Sequence, residues 1–242
     1  MSISVIHSVG SWWTGDVPLL PHPQSMQWGL QASWSVVLAW LGAVLAARCK
    51  ARRGVAVAVA VALAVSAWLP GQASLSYWLG LAFQAPSMGA VLLCAVLLRR
   101  QWVLAGGGGV PALAAQAVVA KVEPDAVLAV LGVLLGWALL LDTLALLPVQ
   151  LYAWGFSPVA AVLVLLLGVT PWLLTARAPG SGLGAGVVLV AVLLFVLLRL
   201  PSGNVWDAVL DPWLWLALHV YVVRRALNCY KNRSCLRGFR KG

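Results

Sequence analysis

An aspartate inside a run of leucines is the first place in this chain where side-chain chemistry is expected. Asp142 closes the run Trp137-Ala-Leu-Leu-Leu-Asp142. Apolar surroundings penalise its charged form and can raise its pKa until it exchanges protons. The plainer role is a hydrogen-bonded Asp that joins two helices. A second candidate is Gln84-Ala-Pro86-Ser87, where proline removes a helical hydrogen bond in an apolar stretch and frees carbonyls at the level of two polar side chains. Broken polar helices of that kind build substrate sites in transporters. A third is the series Gln24, Gln27, Gln31 and Ser35, which falls on one helical stripe and should face protein or water. Together Asp142, Gln84, Pro86, Ser87, Gln27 and Gln31 form a possible transport or helix-contact site.

Asp207 and Asp211 are one helical turn apart. Paired carboxylates suit acid–base work or cation binding. Asn204, three residues before Asp207, favours a different reading: an Asn cap with early Asp residues complementing the helix dipole. His219 is expected to bond a backbone carbonyl or lie near headgroups, and one such His cannot supply both axial ligands of a b-type haem. Cys49, Cys94, Cys229 and Cys235 form no CxxC, and their spacing fits free thiols better than zinc. Nucleotide-binding, zincin and nucleophile-elbow motifs do not occur, so no cofactor or metal is expected. Whether the chain is an enzyme is open, with the balance towards no.

The elements that carry these residues follow from composition. The chain has 242 residues, of which 62% are hydrophobic and 9% charged; soluble domains carry about 25% charged residues. Its mean hydropathy is +0.95. Apolar runs of roughly 20 residues read as transmembrane helices, and unpaired backbone groups in lipid exclude open strands. Seven spans are expected, at 28–47, 54–69, 77–98, 126–147, 158–176, 183–198 and 207–223, giving an all-α polytopic membrane protein. Residues 1–27 form an external tail without the features of a signal peptide, 28–223 the membrane domain, and 224–242 a basic cytoplasmic tail.

Charge fixes the orientation. With the N-terminus outside, fifteen of the sixteen Lys and Arg fall on the cytoplasmic side and Arg199 alone lies outside. An eighth span over 103–121 would destroy that bias, and Gly106 to Gly109 followed by Pro111 suits a spanning helix poorly. The segment is read as interfacial or re-entrant. No span contains Lys or mid-membrane Arg, which excludes a retinal Schiff base and voltage sensing.

Fourteen Trp are placed unevenly. Nine fall at the outer interface and two, Trp102 and Trp172, at the inner one, whereas an aromatic belt alone should be balanced. Trp12, Trp13, Trp28, Trp78, Trp154, Trp206 and Trp213, with Asp207 and Asp211, are a possible outer docking surface. Gly132/Gly136 and Gly182/Gly186 match small-residue contact patterns.

The leading expectation is a non-enzymatic subunit of a bacterial inner-membrane assembly, the source read from composition, positioning partner subunits through these faces. The alternative is a transport protein for a small solute or lipid-linked substrate, and the third an enzyme on lipid or lipid-linked sugar. Expected partners are the bilayer, anionic headgroups at the basic tail and other membrane subunits, with no nucleic acid.

Overall fold

His22 and Pro23 set the start of the first long helix. The His22 ring accepts the Gln24 N–H, and proline occupies the first turn, where no amide partner is needed. The computed structural model describes residues 20–106, 126–174 and 182–239, and among these every regular element is helical. Helix α1 spans Pro23–Arg48 and turns through Lys50, whose φ is +52°, into α2, Arg53–Ser66. The two pack closely because Gly42 has no side chain: a Cβ there would stand 2.9 Å from Leu63 and 3.4 Å from the Ala60 backbone. Ser35 donates to Gln31 O at 2.8 Å and to Ala64 O at 3.0 Å, so the inner end of the amide stripe faces α2.

The third apolar run, expected as a kinked helix over 77–98, is two helices, α3 (Leu75–Phe83) and α4 (Met88–Gly106). Pro86 cannot donate to the helix and disfavours helical backbone at the residue before it. The chain leaves α3 at Gln84 with φ +62°. The seventh run is also divided. Val205–Val209 forms a short helix, α9, and Pro212–Phe239 a long one, α10, so Asp207 lies before the long helix and not within it. Helix α10 continues through residue 224, where the tail was expected to begin. Between these lie α5 (Ala126–Thr143), α6 (Leu151–Trp154), α7 (Pro158–Leu174) and α8 (Gly182–Leu198). Helix α4 ends at Gly106, and the rest of the 103–121 segment lies outside the described residues, as do Trp12 and Trp13.

Two described helices, α1 and α5, are long and apolar enough to cross a bilayer; α2, α7 and α8 are apolar but shorter. The buried clusters are built largely from small residues: Ala39, Ala43 and Ala60 in one, Ala160, Ala161, Ala208 and Phe195 in another. Large apolar side chains, among them Leu81, Leu134, Val159, Leu167 and Leu173, point outward on most helices. The packing thus rests on close backbone approach, with bulk on the outside.

Helix α5 runs antiparallel to α10. Gly132 and Gly136 receive Leu218 and Trp215, so this contact pattern is consumed within the chain. Trp215 donates to Val133 O at 3.1 Å, and Trp137 donates to His219 Nε2 at 3.0 Å. Because Trp137 can only donate, His219 Nε2 accepts, and the ring proton sits on Nδ1, 2.9 Å from Trp215 O. Helix α7 runs antiparallel to α8, with Gly168 against Val188. The second glycine pattern differs: a Cβ on Gly186 would meet nothing within 4 Å.

Candidate functional site: an apolar slot with a fastened roof

Two helix pairs, α5 with α10 and α7 with α8, lie side by side, and α5 and α7 touch only sparingly. The gap between them is a cavity of about 840 Å³. Its floor is small and buried, with Ala160, Val164 and Ala191 among its residues. The rim is open: Leu134 on α5 is 58% exposed and Leu167 on α7 57%. The lining on α5 extends from Leu128 to Leu139, about 16 Å at 1.5 Å per residue. The walls are almost wholly hydrocarbon, and Ser157 is the one hydroxyl among them. The space therefore opens sideways between α5 and α7.

The short helices α6 and α9 close one end. Leu151, Trp154 and Trp206 face the slot, and the polar groups behind them hold the two helices together. Trp206 donates its indole N–H to Leu151 O at 2.9 Å, and Asn204 Nδ2 donates to Tyr152 O at 2.9 Å. Asn204 Oδ1 accepts the Trp206 amide at 3.0 Å, the cap that its position before Asp207 suggests. Gly155 must be glycine here, because a Cβ would collide with the Asn204 side chain and the Trp206 ring.

Tyr152 is the knot of this roof. Its amide donates to Asp142 Oδ2 at 2.7 Å and its hydroxyl to Asp207 Oδ2 at 2.7 Å. Ser202 also donates to Asp207 Oδ2. Burial, then the hydrogen bond and charge of Asp207, push the Tyr152 phenol up to about 12.

The polar residues singled out in the sequence do not share one hydrogen-bonded site. Asp142 serves Tyr152. Gln84 O accepts the Trp34 indole N–H at 3.0 Å, so the break turns towards α1. Ser87 donates its amide and its hydroxyl to Asp211 Oδ2, each at 2.8 Å, while Asp211 Oδ1 caps α10 by accepting the Leu214 amide at 2.7 Å. Gln27 is exposed and Gln31 half-buried on α1. Asp207 and Asp211 are likewise engaged on different partners, one in the roof and one at the break.

Of the described tryptophans proposed for docking, Trp28, Trp78, Trp154 and Trp213 are each more than half exposed, and Trp206 is half-buried. Trp78 donates to Gln72 O at 2.8 Å, and Trp213 stands edge-on to Phe83 at 5.2 Å. Among the described residues no three His, Cys, Asp or Glu gather as metal ligands.

The slot itself was missed in the sequence. Its lining residues are ordinary Leu, Val, Ala and Gly, and no local spacing tells which apolar faces leave a gap. Comparison with protein-family models, with curated proteins and with solved structures finds no match for this chain.

Proposed function

We propose that the chain is an integral membrane protein of about seven spans that holds the hydrocarbon chain of a membrane lipid or lipid-linked molecule in the slot between α5 and α7. Two of the spans are broken helices, α3 with α4 and α9 with α10. The distribution of side chains supports the membrane reading: small residues pack inside and large apolar ones face out, as lipid exposure requires. The roof carboxylates fall at the outer end, and Arg48, Arg99, Arg100, Arg224 and Arg225 at the inner end, the bias expected of an inner-membrane protein with its N-terminus outside.

The observation that carries the functional reading is the slot. Its size lies within the 300–1,000 Å³ or so of ligand sites, and its open side would face lipid. A hydrocarbon chain suits it because it asks for no polar partner, and the walls offer almost none, with Ser157 the one hydroxyl among the lining residues. Such a site is the core of a lipid or lipid-linked transport protein.

A subunit role is the second reading, favoured by the exposed Trp28, Trp78, Trp154 and Trp213. It has lost one support, since Gly132 and Gly136 are already filled by α10. The carboxylates that an enzyme reading would use, Asp207 and Asp211, are each engaged by a different partner, Tyr152 and Ser87.

Photoactivatable fatty acid incorporated into the membranes of cells making the full chain tests the proposal. Crosslinks should concentrate on α5 and α7, and Leu134→Trp with Leu163→Trp, which fills the slot from its exposed rim, should reduce them about tenfold. Labelling spread evenly over all lipid-facing helices, unchanged by the double variant, would overturn it.

A further inference from the structure

We infer that the slot selects an anionic lipid, held with its tail towards the Trp154–Trp206 roof and its headgroup between Arg100 on α4 and Arg225 on α10; this rests on the slot reading above. Gly89 and Leu93 line the slot on α4, and Leu214 and Leu218 on α10. Arg100 follows Leu93 by seven residues, and Arg225 follows Leu218 by seven. Seven residues at about 100° each return to within roughly 20° of the same face, about 10 Å further along the axis. Both arginines therefore continue the lining stripe of their helix beyond the slot, at the end away from the roof. Leu98 confirms the direction on α4: it packs with Ala39, Ala43 and Ala60 of α1 and α2, about 200° round from Arg100.

Arg100 carries a further mark. Its Nη1 is buried and has no hydrogen-bond partner. A buried guanidinium donor without an acceptor is costly, and a phosphate oxygen from a lipid headgroup would satisfy it, since guanidinium and phosphate match in charge and geometry. Arg225 is exposed and steadied by its Nη1, which donates to Tyr221 OH at 2.8 Å. At the other end Asp142 and Asp207 stand behind the roof and repel an anionic head. Charge thus orders the ligand along the slot, tail to the carboxylates and head to the arginines.

The full chain in mild detergent, given equimolar phosphatidylglycerol and phosphatidylcholine with the same acyl chains, is weighed by native mass spectrometry. Phosphatidylglycerol should be retained over phosphatidylcholine by tenfold or more. Arg100→Gln and Arg225→Gln should each reduce that preference about fivefold, the effect of one basic residue near an anionic headgroup. Total bound lipid should be unchanged. Arg100→Lys and Arg225→Lys, which keep the charge, should retain most of the preference, and Arg224→Gln, off the stripe, should retain all of it. Equal retention of the two lipids by the native chain, or a preference that survives both glutamine variants, would overturn the inference. A loss as large in Arg224→Gln as in Arg225→Gln would also overturn it, because charge alone would then suffice. The slot-filling variant Leu134→Trp with Leu163→Trp separates the two levels. If it abolishes lipid retention while the arginine variants change nothing, the slot stands and the headgroup site falls. If it retains lipid in full, the slot reading falls.

Discussion

The Tyr152 hydroxyl donates to Asp207 Oδ2 across 2.7 Å, although 55 residues separate them in sequence. This bond joins α6 to α9, and the same tyrosine is tied through its amide to the end of α5. Removing the hydroxyl leaves the ring in place and isolates that one tie. Tyr152→Phe should cost about 1 kcal/mol, below the roughly 1.5–3 kcal/mol of a bond to a buried charged group, because the site is partly open to water. Thermal unfolding in detergent measures the cost. Asp207→Ala should cost more, since Ser202 loses its acceptor as well.

The same pair sets a dependence on alkali. The phenol of Tyr152 is held at about 12 in the fold, above the ordinary tyrosine value of 10. The folded state therefore favours the protonated form. Its contribution is fully present below pH 10 and is lost as pH rises through 12. Absorbance titration of phenolate should find one of the four tyrosines ionising late, and Tyr152→Phe should remove that late step. A titration without a late step would contradict the roof geometry.

The two glycine patterns should behave oppositely. Gly136 lies against the Trp215 ring, so Gly136→Leu must push α5 off α10 and should cost about 1–3 kcal/mol or more, with loss of the Trp137–His219 contact. Gly186 meets nothing, so Gly186→Ala should be neutral or should stabilise by up to about 1 kcal/mol through helix propensity. Unfolding of the two single variants side by side gives the comparison.

These contrasts mark what was legible beforehand. Asn204 as a cap could be read from its place before Asp207, and a break at Pro86 from the proline alone, because both effects act within one turn of chain. The destination of the freed groups could not. Ser87 meets Asp211 across 124 residues, and Tyr152 gathers Asp142 and Asp207 from opposite sides in sequence. Such meetings depend on how helices are laid side by side, which hydrophobic pattern alone does not encode when the helices are apolar all round. The slot was hidden for the same reason. Gly132 and Gly186 look alike in sequence, yet one is packed against Leu218 and the other is open.

Asp211 is the residue on which the break and the last helix depend together. Its Oδ1 accepts the Leu214 amide at the start of α10, and its Oδ2 accepts both the amide and the hydroxyl of Ser87 at the start of α4. Ser87→Ala removes one of these bonds, and with it the cap that Ser87 Oγ gives the Ala90 amide at 3.1 Å, but leaves its own amide bond intact, so it should cost about 2 kcal/mol. Asp211→Ala removes all three and strands two amides at helix starts, so about 3 kcal/mol is expected from the lost cap and the unpaired donors. Asp211→Asn keeps the shape but leaves one acceptor oxygen, so its NH2 must face either the Leu214 amide or the Ser87 donors; it should fall between them. In the Ser87→Ala, Asp211→Ala double variant the cost should be less than the sum, since the hydroxyl bond is counted in both singles. Strict additivity in that cycle would mean that α4 and α10 are not joined at this point.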